Sequence, residues 1–206
     1  MKVLGIVGSA RKNGNTDVLV RHVLQGVSSC GIGTELIYLS DCCFTPCTGC
    51  EGCRDSFRCV KKDDMQLIYE KLEEAEGIVL GSPTYFYNMS SLTKAFIERL
   101  YCYDIFDKTD RSVWLSFGEL FGIKYAVTAA VCEQNKVEDM GFTSVAMDMS
   151  LQAVGYRVVE SLKVLHMFGK GDAKKHKDIL NEAIAAGAKL GKTIVLADRI
   201  KKKSTF

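Results

Sequence analysis

The strongest constraint on the fold is a recurring pair of patterns: a short apolar run without polar alternation, then a longer segment with helical spacing. Lys2-Val-Leu-Gly-Ile-Val7 is the first such run. A strand with no polar face must be covered on both sides, as strands are in a parallel sheet layered by helices. The loop Gly8-Ser9-Ala10-Arg11-Lys12-Asn13-Gly14-Asn15-Thr16 follows, and Val20, Val23, Leu24 and Val27 then recur at i, i+3, i+4 and i+7. That spacing predicts a helix from near residue 16 to residues 30–31. Further strands are expected over residues 34–39, 77–81, 125–131 and 157–165. Between and after them, Met65, Ile68, Tyr69 and Leu72 share one helical face, as do Leu92, Ala95, Phe96 and Leu100. Asp63 and Gln66 have the spacing of a capping box for the first of these. Residues 137–154 are broadly helical, and a last helix over 173–189 carries Leu180, Ala183, Ile184 and Gly187 on one face, small enough for close packing. Five strands alternating with helices, with no internal repeat, give an α/β protein: a flavodoxin-like, doubly wound, five-stranded parallel sheet with helices on both faces.

A chain of 206 residues with 47% apolar content suffices for one domain, 1–206, of this kind. It contains no apolar run long enough to span a membrane, and Met1-Lys2 passes directly into a strand pattern, so a cytoplasmic protein without membrane attachment is expected. The formal charge of +2 gives no reason to invoke nucleic acid. Lys201-Lys202-Lys203 reads as a solvated, frayed end rather than a binding patch.

Cys47-Thr-Gly-Cys50-Glu-Gly-Cys53-Arg-Asp-Ser-Phe-Arg-Cys59 places four thiols within thirteen residues. Three cysteines two residues apart let one loop wrap three corners of a cubic cluster, and Cys59 can return to the fourth, so the spacing points to a [4Fe-4S] ligand set. Structural zinc favours two knuckles held well apart in sequence. Gly49 and Gly52 suit a metal loop of either kind, since they permit positive φ. Zinc, disulfides and a loop that keeps its thiols free remain alternatives, with disulfides least expected in a reducing compartment. Cys42 and Cys43, adjacent in an extended exit, point to opposite sides and are expected not to be ligands.

Two loops at strand ends carry binding chemistry. The first is an anion site, because backbone N–H groups at a helix start are unpaired and the helix dipole adds positive charge. Ser9, Asn13, Asn15 and Thr16 offer donors and Arg11 a forked cation. The loop has neither dinucleotide nor nucleoside-triphosphate spacing. The second, Ser82-Pro83-Thr84-Tyr85-Phe86-Tyr87-Asn88, sets three aromatic rings where open parallel sheets bind ligands, and suits a flat heteroaromatic group. The segment 101–123 carries six aromatic residues with little periodicity, which fits a ligand cover or a subunit contact. His22, His166 and His176 fall on apparent helix or strand positions with no evident catalytic partner.

These features together resemble the iron-sulfur flavoproteins, a branch of the flavodoxin-like NAD(P)H-dependent FMN reductases. The markers are Gly8-Ser-x-Arg11…Asn15-Thr16, the C-x2-C-x2-C-x5-C run, Asp63-Asp64-Met65, and Ser82-Pro-Thr-Tyr85 followed by Lys94-Ala-Phe96…Arg99. The resemblance implies FMN with its phosphate on Ser9, Arg11, Asn13, Asn15 and Thr16 and its ring against Pro83, Thr84, Tyr85, Phe86 and Asn88. It also implies a [4Fe-4S] cluster on Cys47, Cys50, Cys53 and Cys59, and a homodimer or homotetramer. The implied activity is an oxidoreductase taking electrons from a ferredoxin-like donor or NAD(P)H, with oxygen or peroxide as acceptors in an anaerobe. The cluster-free alternative is an NAD(P)H-dependent FMN or quinone reductase. A third loop, glycine-rich in many relatives, is here Thr128-Ala-Ala-Val-Cys132-Glu-Gln-Asn135, which departs from the pattern.

Overall fold

A computed structural model describes residues 1–204. Five parallel strands, β1 (Lys2–Val7), β2 (Gly33–Tyr38), β3 (Gly77–Tyr85), β7 (Lys124–Val131) and β8 (Tyr156–Val164), lie in the order β2-β1-β3-β7-β8. This is the flavodoxin-like order, in which the direction of strand addition reverses beside β1 and leaves a crevice at the carboxyl ends of β1 and β3. A sixth strand, the two-residue β4 (Asn88–Met89), pairs antiparallel with the end of β3.

The mostly apolar inner strands β1, β3 and β7 bury side chains on both faces, and two cores result. On one face α1 (Asn15–Ser28) and α6 (Lys177–Ser204) cover Val3, Val7, Val79 and Val127. The two helices approach closely because a Cβ at Gly187 would lie 1.9 Å from the Val23 carbonyl oxygen, and one at Gly26 would lie 2.0 Å from that of Ile184. On the other face α2 (Met65–Glu74), α3 (Ser91–Arg99) and α5 (Thr143–Ala153) cover Leu4, Ile6, Ile78 and Leu80.

Several expectations change. β3 does not stop at residue 81 but runs on to Tyr85, because β4 folds back and satisfies its edge. The segment 101–123 is not irregular. It forms a small antiparallel hairpin of β5 (Asp104–Phe106) and β6 (Trp114–Ser116), followed by α4 (Phe117–Phe121). Its rings pack largely on one another, Tyr101 on Phe106, Phe106 on Trp114 and Phe117 on both Tyr103 and Phe121. The expected helix over 137–154 is broken at Gly141, whose φ of 55° lies in the left-handed region, where an α-helix cannot continue. Asp63 and Gln66 form no capping box. Asp63 accepts from the Met65 N–H (3.2 Å), while the Gln66 amide donates to the carbonyls of Cys59 (2.9 Å) and Lys61 (2.6 Å). Lys201–Lys203 are not frayed but continue α6, with Lys202 paired to Asp198 at 2.8 Å. Among the described residues no helix is long and apolar enough to cross a membrane.

Candidate functional site

At the end of β1 the chain must pass close to β3 and α3. The Gly8 N–H donates to the Gly81 carbonyl (2.8 Å), and a Cβ at Gly8 would lie 1.8 Å from the Thr93 hydroxyl oxygen. The loop then turns through Asn13, at φ 58°. Asp17, with no solvent exposure, organises this turn: its carboxylate accepts from the Asn13 N–H (2.7 Å), the Tyr38 hydroxyl (3.0 Å) and Arg21 Nε (2.8 Å). Helix α1 starts after Gly14 without a side-chain cap, so its first N–H groups stay available for an outside acceptor.

A cleft of about 620 Å³ opens beside this helix start. Ser9, Arg11, Asn15 and Thr16 line one end, and Pro83, Thr84, Tyr85 and Phe86 line the other. Thr84 Oγ1 is buried and has no hydrogen-bond partner among the described residues, an unmet need that a polar edge of a bound group can satisfy. Phe86 and Tyr87 turn the chain at φ 47° and 62°, and the Phe86 ring is 98% exposed at the rim.

Not every expected residue reaches the cleft. Asn13 and Asn88 are absent from its lining; Asn13 acts through its backbone, and the Asn88 side chain accepts from the Met89 N–H (2.9 Å). Asn15 lines the cleft, but its amide is engaged, donating to Gly169 O (2.8 Å) and Met167 O (3.3 Å) and accepting from Ala173 N (3.0 Å). It therefore ties the first loop to the loop after β8. The lining also takes in Tyr87 of the second loop and Val131 to Gln134 of the third loop, residues 128–135, whereas the sequence reading missed Asp139 beyond β7 and Met167, Phe168 and Lys170 beyond β8. Their one advance signal is position, since both segments leave the carboxyl ends of neighbouring strands. His166 and His176 sit in loops rather than regular elements, and only His22 is helical.

The cysteine loop leaves β2 and returns to α2. Its ends are tied where the Asp64 N–H donates to Cys43 O (3.2 Å) and the Cys43 N–H donates to Asp64 Oδ2 (2.6 Å). Between them the backbone takes left-handed φ at Gly49 (64°), Glu51 (56°) and Phe57 (54°), turning repeatedly over a short span. The Gly49 N–H points at Cys47 Sγ (3.4 Å). A hydrogen bond from the Gly52 backbone holds the Cys50 thiol below its ordinary range. Burial pushes the Cys53 thiol up, and the negative forms of Cys59, Cys47 and Cys50 push it further. The four sulfurs thus share one electrostatic neighbourhood, and a second thiolate there is costly unless a cation offsets it. No three His, Cys, Asp or Glu side chains among the described residues close on one point as ligands of a single ion do. As a soft four-thiol set on a tightly turned loop, the residues fit an iron-sulfur centre by their chemistry. Cys42 is half-buried against the core and Cys43 exposed, so the two do point apart.

Beneath this loop lies Arg99, whose side chain has 0% exposure. Nη1 and Nη2 grip both oxygens of Asp63 (2.6 and 3.0 Å), and Nη1 also donates to Thr45 O (2.9 Å). Burial works against its charge, but the Asp63 hydrogen bond and the charges of Tyr69, Cys59 and Asp63 outweigh it and raise its basicity. Burial pushes the thiol of Cys102, close by, up to about 12, which disfavours its thiolate.

The family pattern of the NADPH-dependent FMN reductases matches residues 1–132. An iron-sulfur flavoprotein of Methanocaldococcus jannaschii is 46% identical over 99 residues, 48% of this chain and 51% of that one. An iron-sulfur flavoprotein of Methanosarcina thermophila is 37% identical over 99 residues, 48% of this chain and 52% of its own. The chain thus spans about half the length of the relatives it matches. In three dimensions it is similar to a flavodoxin from the domain Archaea, with a TM-score of 0.58 and 18% identity over 94% of this chain and 99% of that one, a likeness of fold. With the pattern extending from β1 to the end of β7 and so through the cleft loops after β1 and β3 and the cysteine loop, this chain belongs to the NADPH-dependent FMN reductase family.

Proposed function

We propose that the protein is a flavin-dependent oxidoreductase that holds FMN in the cleft and a [4Fe-4S] cluster on Cys47, Cys50, Cys53 and Cys59, in one domain. The observation that carries the flavin reading is the cleft's polarity. One end is an uncapped helix start beside Arg11, and the other is an aromatic wall with an unmatched Thr84 hydroxyl. Ser9, Arg11, Thr16 and the α1 backbone would take the phosphate, while Pro83, Thr84, Tyr85 and Phe86 would flank the ring. Asn13 and Asn15 would act by shaping the loop.

FMN exchanges electrons in pairs or singly and a [4Fe-4S] cluster one at a time, so a protein holding both links two-electron and one-electron partners. The chain's own part is to bind each group, exclude water and set hydrogen bonds to the thiolates. NAD(P)H or a ferredoxin-like donor, with oxygen or peroxide as acceptor, is the partner chemistry this reading carries. The names of the similar archaeal proteins support the iron-sulfur part. The family's own description supports a second reading, a cluster-free reductase using NAD(P)H.

Anaerobic purification followed by flavin identification and iron and sulfide assays decides between them. FMN with about four irons and four sulfides per chain is the expected result. FAD in place of FMN overturns the flavin assignment, and FMN without iron leaves the reductase reading.

A further inference from the structure

Arg99 has a feature that the binding of FMN or of a cluster does not by itself explain. It is a guanidinium wholly buried at the end of α3, and although four of its N–H groups lie on the two terminal nitrogens that bond Asp63 and Thr45, its Nε–H has no partner among the described residues. An unpaired donor in a buried cation is costly to keep. Natural structures rarely keep such a group without a use for it. Its surroundings are specific. Thr45 lies two residues before the first loop cysteine, and Asp63 lies four after the last. Cys59 packs against the same buried cluster as Leu100 and Cys102, just beyond Arg99 in the chain. Gln66 holds the Cys59 carbonyl from α2, and the Tyr69 hydroxyl donates to the Arg99 carbonyl (2.6 Å), so both sides of this junction are fixed.

We propose that Arg99 is a positioning residue of the cluster loop: its terminal nitrogens join the loop's two ends through Thr45 and Asp63, and its free Nε–H is the donor held for sulfur at Cys59. The proposal rests on the cluster reading above for its second half and on the present geometry for its first. A planar fork is required. Lysine at this place keeps the charge but cannot hold Asp63 with two parallel bonds, reach Thr45 and present a further N–H in one plane. A hydrogen bond to a cluster sulfur raises the reduction potential by stabilising the more negative state.

The test compares wild type with Arg99→Lys, Asp63→Asn and the double variant Arg99→Met/Asp63→Leu. The double variant removes both charges together and guards against failure to fold, because no unpaired ion stays buried. In metal-free protein, limited proteolysis between residues 45 and 63 is expected to be at least tenfold faster in all three variants. In anaerobically reconstituted protein that retains its flavin, Arg99→Lys is expected to show a more negative cluster midpoint potential. Unchanged proteolysis overturns the clamp. Faster proteolysis with an unchanged potential overturns the sulfur contact. If wild type takes up no iron and sulfide, the cluster reading fails and the sulfur contact with it, while proteolysis still decides the clamp.

Discussion

Two carboxylates, one fully buried and one partly buried, show how differently one functional group behaves in two settings. Asp17 is fully paired, and its four hydrogen bonds keep Asn13 in a left-handed turn that shapes the first cleft loop. Asp17→Ala leaves the Asn13 N–H and the Tyr38 hydroxyl without an acceptor, at a cost of ~2 kcal/mol, or roughly 4–8 °C in Tm. Flavin retention should fall with it, because the loop loses its anchor; dialysis of the holoprotein checks this. Asp104, in contrast, has an unpartnered oxygen in a small recess shared with Glu51, Cys53, Arg54 and Arg111, and burial lifts its carboxyl to about 6. The folded value lies above the unfolded value of about 3.9, so the fold favours the protonated acid. Below pH ~4 the group is neutral in both states and carries no penalty; as pH rises through about 6 the penalty becomes complete. Asp104→Asn should therefore stabilise metal-free protein at pH 7 by on the order of 1 kcal/mol, a figure reduced for the group's partial exposure. Chemical denaturation at pH 4 should show no gain.

At the level of elements, legibility followed periodicity. β1, β2, β7 and β8 were readable to within a residue or two: β1 and β7 as almost wholly apolar, doubly covered runs, and the edge strands β2 and β8, which carry Glu35, Glu160 and Lys163, from the apolar residues around these. The extension of β3 was not, since it depends on the turn at Phe86 and Tyr87 bringing β4 back, and neither residue signals positive φ. The hairpin of β5 and β6 was hidden for a related reason. Its strands have three residues each, too short for any period to register. The cleft was partly legible: the loops after β1 and β3 carry conspicuous polar and aromatic residues, the loop after β7 was placed by resemblance without its contacts, and the loop after β8 contributes through position alone. The small residues of α6 were readable as a packing face, and this gives a prediction. Gly187→Ala places a methyl group 1.9 Å from the Val23 carbonyl oxygen, a backbone atom that cannot rotate away. The gain in helix propensity, about 1 kcal/mol, should be outweighed by the separation of α1 from α6, with a net loss of ~1–2 kcal/mol in denaturant unfolding.

Over the whole molecule, α3 connects the two candidate sites. Its start is fixed at the cleft, where the Ser90 hydroxyl donates to Gly8 O and the Ser90 N–H donates to Ser82 Oγ (3.0 Å). Its end is fixed under the cysteine loop by Arg99. Nine helical residues span about 13 Å, so the helix sets a fixed separation between the cleft and the cysteine loop. The loops themselves share no residue: the cysteines follow β2, while the cleft is built from the ends of β1, β3, β7 and β8. Loss of one group should therefore leave the other bound. Cys59→Ala should abolish or convert the cluster, seen as loss of iron and sulfide, and leave FMN stoichiometric. Arg11→Ala should weaken FMN binding by roughly tenfold or more, the worth of a charge-assisted phosphate contact, and leave iron content unchanged. Cys43→Ala, an exposed thiol outside the run, should change neither. A Cys59 variant that sheds its flavin, or an Arg11 variant that sheds its iron, would show that the two loops fold as a single unit and that α3 does not insulate them.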